Sequence, residues 1–326
     1  MFQTWSSCAA GGRAYVLFLL AVFSLAGSGR AHSQSLPSAP LQPPAATKTA
    51  STDPELLALV RQKRWKEVVE RAEAVSGQRP EDSQAAYWLG IAHLQLHEPI
   101  DAVVALRRAE KLGLNSALFH EGLGLAYYDL NQYVLFERQM EKASQLEALD
   151  SRPYYYLGLY RLTVRSDVAR ALQLFQTATQ LNHDDWKSLY QEGYCLEQLG
   201  KLDEARARYV SAIALVEKSG DHFGWPFQGM ARLLMNDNPQ TALGFANKAV
   251  SLEPNEPSNH LVLSDIYQRL GRLPDAIREA ELASVQNPTD AATHYALYKL
   301  YRQAGNPKAP EELKTFDLVT KLYGSN

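Results

Sequence analysis

The feature that most constrains the fold is a short pattern that recurs along the chain at a fixed interval. The pairs Leu89-Gly90, Leu123-Gly124 and Leu157-Gly158 follow one another every 34 residues. A period of about 20 to 50 residues is typical of repeat proteins, in which each unit is one supersecondary element that cannot bury its apolar face alone. The chain is therefore predicted to be an array of stacked units rather than one or two compact domains.

A second pattern begins 12 to 14 residues after each such mark and has helical spacing. Its three positions are separated by four and then three residues, so they lie on one face of a helix. The triplets are Ala102, Leu106, Ala109; Phe136, Met140, Ala143; Ala171, Phe175, Ala178; Ala205, Tyr209, Ala212; Ala242, Ala246, Ala249; and Ala276, Ala280, Ala283. Turn signals such as Gly200-Lys201 and Gly271-Arg272 separate the two patterns. Pro80, Pro254 and Pro288 follow the second pattern, where proline ends a helix.

This arrangement resembles the tetratricopeptide repeat, whose signature of about 34 residues has Leu-Gly in its first half, Ala-x-x-x-Phe in its second half and a closing Pro. The resemblance covers residues 54 to about 322. It implies an all-α fold, a right-handed α-α superhelix (solenoid) of antiparallel helix pairs. The solenoid is assigned to residues 54–326, in about eight units near 49–82, 83–116, 117–150, 151–185, 186–222, 223–256, 257–290 and 291–324.

Three departures from the pattern are expected to change local geometry. The fourth unit has one extra residue in its inner turn, around Thr163 to Asp167. The segment from Lys218 to Pro226 lengthens the connection between the fifth and sixth units. Pro307 and Pro310 lie where the second helix of the last unit should begin, which suggests an atypical cap.

The first 53 residues have a different composition from the array. Residues 1–33 combine Arg13 with one apolar run from Ala14 to Gly27 and small residues after it, the layout of a secretory signal peptide. Cleavage predicts a periplasmic or secreted protein. The alternative is an uncleaved segment that tethers the chain to the inner membrane, although the run is shorter than the ~20 residues that cross a bilayer. Residues 34–53 are rich in Pro, Ala, Ser and Thr and are predicted to be a flexible linker.

By the resemblance, the first helices of the units line a concave groove that binds a partner. The inward positions suggest an aromatic and apolar wall, which suits an extended peptide or a helix of another protein. The candidate groove residues are Tyr87, Ile91, Leu94, Leu125, Tyr128, Tyr155, Leu159, Tyr190, Tyr194, Phe227 and Tyr295, with the basic residues Arg269, Lys299 and Arg302 at the far end.

Alternative interpretations remain for both parts of this groove. The tyrosines can instead support a tightly wound superhelix by stacking between units. The basic residues can receive a carboxylate of the partner or can be scattered, solvated charges. The clamp by which some members of the family grip a C-terminal carboxylate, with Lys at the fifth position of a unit and Asn at the ninth, is absent. The equivalent pairs here are Tyr87 with Ile91, Glu121 with Leu125, and Tyr155 with Leu159.

Histidine and cysteine give little support for a metal or catalytic site. His120, His260 and His294 occupy the same position in different units, so each is expected to be a satisfied, partly buried side chain rather than a metal ligand. Cys195 is the only cysteine after the predicted leader, and a small buried thiol is expected there. No metal site and no small-molecule cofactor are predicted.

Charge and motif content narrow the function further. The net charge is −3, with 33 Lys and Arg against 36 Asp and Glu, so nucleic-acid binding is not expected. The nucleophile-elbow, zinc-protease, phosphate-loop and Cys-x-x-Cys motifs are missing. The chain is predicted to be a non-enzymatic scaffold or adaptor of the cell envelope that binds a protein or peptide. The alternative is a structural or self-assembling module of an envelope complex, and membrane contact is expected only through an uncleaved signal segment.

Overall fold

A computed structural model describes residues 53–323 of the chain. The predicted signal peptide, almost all of the predicted linker and the last three residues lie outside the described residues. Within the described range the regular structure is entirely helical. The helices are α1 (Pro54–Arg61), α2 (Trp65–Gln78), α3 (Ser83–Gln95), α4 (Pro99–Lys111), α5 (Ala117–Asp129), α6 (Tyr133–Leu146), α7 (Arg152–Thr163), α8 (Val168–Leu181), α9 (Trp186–Gln198), α10 (Leu202–Ser219), α11 (Trp225–Leu234), α12 (Pro239–Leu252), α13 (Pro257–Arg269), α14 (Leu273–Gln286), α15 (Ala291–Gln303) and α16 (Ala309–Tyr323).

These helices pair in sequence order into eight hairpins. Each odd-numbered helix packs on the even-numbered helix that follows it, and each even-numbered helix packs on the next odd-numbered one. The predicted all-α solenoid of about eight helix pairs is therefore confirmed. None of the helices that the structure describes is both long and apolar enough to cross a membrane.

Aspartate side chains cap the N-termini of several helices, and short turns connect the helices of a hairpin. Asp82 accepts hydrogen bonds from the backbone N–H groups of Gln84 and Ala85 at 3.1 and 3.0 Å, which caps α3. Asp290 caps α15 in the same way, with the N–H groups of Ala292 and Thr293 as donors. In seven of the eight hairpins that the structure describes, a residue with positive φ reverses the chain between the two helices, and the α11–α12 hairpin is the exception. This residue is Lys63, His97, Asn131, Ser166, Gly200, Gly271 or Gly305.

The Leu-Gly pairs mark the places where the two helices of a hairpin cross. A Cβ atom added to Gly90 would lie 2.5 Å from Leu106 Cγ, and one added to Gly158 would lie 2.7 Å from Phe175 Cε1. Gly124 meets Met140 and Gly193 meets Tyr209 in the same manner. Each glycine thus faces the middle residue of the apolar triplet on its partner helix, which explains why the two patterns recur together. Close helix packing requires small residues at such crossings.

The departures from the repeat have simple structural consequences. Part of the insertion between units five and six lengthens α10 to 18 residues, so that this helix includes Lys218 and Ser219 and ends at Gly220 with φ 71°. The last helix, α16, begins at Ala309 and runs for 15 residues. Pro310 lies in its first turn, where the missing N–H has no helical partner in any case. The prolines therefore mark the start of this helix and do not disrupt it.

The buried apolar side chains form two clusters that meet at α11 and α12. We call them the N-terminal core, which runs from Leu56 to Leu233 and includes Ala249, and the C-terminal core, which runs from Ala231 to Ala309. Leu234 and Phe245 pack against both cores.

Candidate functional site

The odd-numbered helices form the inner side of the array. Among helices of successive units, α3 contacts α5, α9 contacts α11, and α11 contacts α13. Curvature brings the inner members of a solenoid closer together than the outer ones, so these contacts identify the concave side. All fourteen predicted groove residues lie on these helices.

Ten of the predicted groove residues are buried, and the structure differs here from the open groove that the repeat pattern predicts. They are Tyr87, Ile91, Leu94, Leu125, Tyr128, Tyr155, Leu159, Tyr190, Tyr194 and Phe227, none more than 8% exposed. Three of the tyrosine rings lie against the second helix of their own unit, in the pairs Tyr128–Phe136 at 5.3 Å, Tyr155–Phe175 at 5.9 Å and Tyr190–Tyr209 at 5.8 Å between ring centroids. The ten side chains pack the inner helices together, so the inner face of units two to six is largely closed.

A charged group lies inside this closed region. Glu121 has no exposed surface, and its Oε2 lies 3.4 Å from Nε of Arg152. Burial raises the pKa of Glu121 to about 7, and the charge of Arg152 opposes this increase only in part. Arg152 is also bound to Asp150, with Nη2 2.6 Å from Oδ2. The tyrosine at the equivalent place one unit earlier, Tyr87, has a buried hydroxyl without a hydrogen-bond partner.

A second polar network closes the inner face between units five and six. Arg232 donates two hydrogen bonds to Glu197, from Nε and Nη2 to the two carboxylate oxygens, each at 2.8 Å. The Tyr209 hydroxyl donates to Glu197 Oε2 at 2.7 Å, and the Arg232 guanidinium lies 5.4 Å from the Tyr194 ring centroid. The bidentate pair is satisfied within the protein. The Arg232–Glu197 pair therefore stabilises the contact between units five and six, and its guanidinium is not available to bind an anion from solvent.

The inner face opens at the C-terminal end, where the other four predicted groove residues are exposed. Tyr295 is 42% exposed, and Arg269, Lys299 and Arg302 are also exposed. Lys299 Nζ lies 5.0 Å from the Tyr295 ring centroid, and the Arg302 guanidinium carbon lies 5.8 Å from the ring centroid of Tyr298. We call Arg269, Tyr295, Tyr298, Lys299 and Arg302 the C-terminal inner surface.

Neighbouring helices hold this surface in place. Arg269 Nε donates to Asn236 Oδ1 at 3.0 Å, which connects α13 to the end of α11. Gln268 Nε2 donates to Gln303 Oε1 at 2.7 Å, which connects α13 to α15. The Tyr295 ring also lies 5.1 Å from Phe316 on α16. The C-terminal inner surface therefore extends across two successive odd-numbered helices, α13 and α15.

Two members of this aromatic group are missing from the sequence-based set. Tyr298 lies three residues after Tyr295, outside the inward positions that the resemblance assigns, and Phe316 lies on the second helix of its unit. A signal for Tyr298 is present in the sequence, because aromatic residues at i and i+3 share one side of a helix with the cations at i+4 and i+7. Phe316 has no comparable signal.

Each of the three histidines at the repeated position connects the second helix of its own unit to the loop that precedes that unit. Nδ1 of His260 lies 2.8 Å from Glu279 Oε2, and its Nε2 donates to the carbonyl of Pro254 at 2.9 Å. His294 has the same arrangement with Glu312 and Pro288. His120 lies between the side-chain amides of Gln139 and Asn115, at 2.6 and 2.7 Å, and one of its ring nitrogens donates while the other accepts. Burial lowers the pKa of His120, so its imidazole is neutral at pH 7.

Cys195 does not have the surroundings of a nucleophile. Its side chain is fully buried on α9, and burial raises the pKa of the thiol to about 12. Reactive cysteines have a lowered pKa and solvent access. The thiol is protonated at neutral pH and acts as a small apolar group in the N-terminal core.

Comparison with known proteins gives consistent results for this architecture. A family model described as tetratricopeptide repeat matches residues 161–221. The chain is 23% identical over 237 residues to tetratricopeptide repeat protein 37 of Xenopus laevis, which covers 68% of this chain and 15% of that protein. It is 21% identical over 252 residues to superkiller complex protein 3 of Mus musculus, over 74% of this chain and 16% of that protein. The chain thus spans about one sixth of the length of these relatives.

Solved structures of helical-repeat proteins resemble this chain over most of its described length. A chain of the APC/C hetero-tetramer Cut9–Hcn1 superposes with a TM-score of 0.65 at 14% identity, covering 75% of this chain and 48% of that chain. Yeast Tom70 superposes with a TM-score of 0.59 at 15% identity, covering 87% of this chain and 64% of that chain. At these identities the likeness shows the fold alone.

Proposed function

Because this chain is a tetratricopeptide-repeat protein, we propose that it acts as a non-enzymatic scaffold that binds a segment of another protein at the C-terminal inner surface. The fold supports a general role in protein–protein interaction. The single observation that carries the finer proposal is the contrast in exposure between Tyr295, at 42%, and the buried groove residues of the preceding units. An exposed aromatic ring flanked by cations offers a partner both apolar contact and charge.

The chemistry of this surface favours an acidic segment with an aromatic or aliphatic anchor. Lys299 and Arg302 are exposed and lie beside aromatic rings, and Arg269 is fixed on the adjacent helix. An anionic side chain or a terminal carboxylate can reach these cations while an apolar side chain packs on Tyr295. Charge complementarity of this kind directs specificity and the rate of association.

Selection from a random peptide library with the purified chain tests this proposal. The wild type is expected to enrich peptides that place Asp or Glu next to an apolar residue, and the K299A/R302A double variant is expected to lose this enrichment. A matched control is R206A/K248A, which removes two exposed cations from the outer helices α10 and α12. The proposal is wrong if the control and the double variant enrich the same peptides as the wild type.

A role in the cell envelope is also part of the proposal, and it rests on the apolar segment from Ala14 to Gly27. Cell fractionation of the full chain is expected to place it in the envelope fraction. Removal of residues 2–33 is expected to leave it in the cytoplasm. Equal distribution of the two forms would exclude export by this segment.

A second candidate function is a structural module that associates with other copies or with a complex through α16. This helix exposes Leu318, Leu322 and Tyr323 by 55%, 61% and 56%. Sedimentation velocity over a wide range of protein concentrations distinguishes the two functions. Self-association that the L318E/L322E variant abolishes would support the structural module, whereas a monomer at every concentration would exclude self-assembly.

A further inference from the structure

The turn between α3 and α4 brings one histidine and two carboxylates together, away from the C-terminal inner surface. His93, Glu98 and Asp101 each offer one ligand atom, and these atoms all lie within 4.8 Å of one another. His93 Nδ1 lies 2.8 Å from Glu98 Oε2. In the chain the three residues are spaced by five and then three positions, and the turn between the helices makes them neighbours.

Local geometry explains how the three groups converge. His93 lies in the last turn of α3, and the chain reverses at His97, which has φ 59°. Glu98 occupies the N-cap position of α4, yet its side chain makes no capping hydrogen bond and instead contacts His93. Asp101 lies in the first turn of α4, one turn beyond Glu98. The Glu98 carboxylate is therefore directed to the imidazole rather than to the backbone amides that a cap usually contacts.

The exposure of the three groups suits an ion that enters from solvent. The His93 side chain is only 14% exposed, whereas that of Glu98 is 48% exposed and Asp101 is exposed as well. The imidazole is thus held against the protein, and the carboxylates can rotate.

We propose that His93, Glu98 and Asp101 bind one divalent transition-metal ion of the Zn²⁺ class, with water in the remaining position. Zn²⁺ binds imidazole nitrogen at about 2.0–2.1 Å and carboxylate oxygen at about 2.0–2.2 Å in a tetrahedron. Such bond lengths place ligand atoms about 3.3 Å apart, a spacing compatible with three ligand atoms that all lie within 4.8 Å of one another. Ca²⁺ and Mg²⁺ prefer sites made of oxygen alone. The bound ion would connect the last turn of α3 to the first turn of α4.

Isothermal titration calorimetry of the purified full chain, prepared without a histidine tag, with ZnCl₂ tests this proposal. We expect the wild type to bind one Zn²⁺ per chain in a saturable manner. The affinity of H93A for Zn²⁺ is expected to be at least about tenfold lower than that of the wild type, since even outer-shell partners of metal ligands change affinity by about 10–100-fold. The matched control is H183A, which removes another exposed histidine that is followed by two aspartates. Its affinity is expected to equal that of the wild type. Excess Ca²⁺ or Mg²⁺ is expected not to compete.

A second variant separates loss of the site from loss of folding. E98Q leaves α3 and its buried residues unchanged, and it is expected to weaken Zn²⁺ binding at an unchanged far-ultraviolet circular dichroism spectrum. Zn²⁺ is also expected to raise the melting temperature of the wild type more than that of E98Q, because an ion that binds only the folded state stabilises it. No saturable binding by the wild type, or equal binding by H93A and the wild type, overturns the proposal.

Discussion

Glu121 is a carboxyl group with no exposed surface, and burial raises its pKa from 4.5 to about 7. In the unfolded chain this carboxyl returns to water and loses its proton at a lower pH. Between the two pKa values the folded protein therefore binds a proton that the unfolded chain releases. The contribution of Glu121 to stability is full below about pH 4.5 and is lost as the pH rises through 7.

Replacement of this carboxyl should remove its share of the pH dependence. E121Q keeps the shape of the side chain, and Arg152 keeps Asp150 as its partner. The difference in unfolding free energy between E121Q and the wild type is expected to shift in favour of E121Q by roughly 1–3 kcal/mol when the pH is raised from 5 to 8. Urea denaturation at the two pH values measures this gain. The exposed residue Glu217 supplies the control E217Q, and an equal difference from the wild type at both pH values would contradict the assignment.

The histidine at the repeated position accepts two kinds of partner in this chain. His120 is bound to Gln139, whereas His260 is bound to Glu279. E279Q is therefore expected to change the melting temperature little, since the side-chain amide of Gln can still hydrogen-bond to His260 Nδ1. E279A should cost about 1–3 kcal/mol, because it leaves a buried ring nitrogen without a partner. Thermal denaturation of the two variants compares them, and equal losses would argue against the hydrogen bond.

At the scale of the helices, the space available for an added methyl group differs from one glycine to another. A Cβ atom at Gly158 would lie 2.7 to 2.9 Å from three atoms of the Phe175 ring, whereas at Gly124 the nearest atom is the mobile end of Met140. On α12, Gly244 has no heavy atom within 4 Å of the same position. Rigid neighbours resist overpacking, while exposed helical glycines gain from replacement by alanine.

The three alanine variants should therefore differ in sign as well as in size. G158A is expected to lower stability by about 1–3 kcal/mol, and G124A is expected to lower it less. G244A should raise it by about 0.5–1 kcal/mol through higher helix propensity. Melting temperatures monitored by circular dichroism report all three. A G158A variant as stable as the wild type would show that Phe175 can move aside.

The sequence predicts the helices and their crossings well because each is encoded locally. The Leu-Gly pairs and the triplets that contain Leu106 and Phe175 contact one another in the structure as their spacing implies. The exposure of a groove position is not encoded locally. Tyr155 and Tyr295 occupy the same place in their units, yet Tyr155 is 6% exposed and Tyr295 is 42% exposed. The difference depends on a neighbouring unit that packs over Tyr155, and no further unit follows Tyr295 within the described residues.

The spacing of His93, Glu98 and Asp101 shows the same limit. Their separation in sequence has no helical period, because a reversal of the chain lies between the first and the second of them. These three residues do not occupy equivalent positions of successive units, as His260 and His294 do, so the repeat pattern does not indicate them. Side chains on either side of the turn in a hairpin become neighbours only through the three-dimensional arrangement of its two helices.

At the scale of the whole molecule, the division of the interior into two cores predicts uneven local stability. The C-terminal core contains fewer and smaller side chains than the N-terminal core, which holds the tyrosine, phenylalanine and tryptophan clusters of units two to five. Amides of α13 and α14 are therefore expected to exchange with deuterium as one group and faster than those of α5 and α9. Hydrogen exchange with mass spectrometry tests this. Uniform protection along the array would show that the two cores act as one.

The meeting of the two cores at α11 also sets how the molecule would respond to a pulling force. A load applied along the array is carried through α11 and α12, where Leu234 and Phe245 pack against both cores. Under force the chain would first separate at α11 and α12, so the last hairpins would unfold while the tyrosine-rich N-terminal core remained folded. A tether attached at the C-terminal end could then lengthen under tension without releasing the part of the scaffold nearest the N terminus.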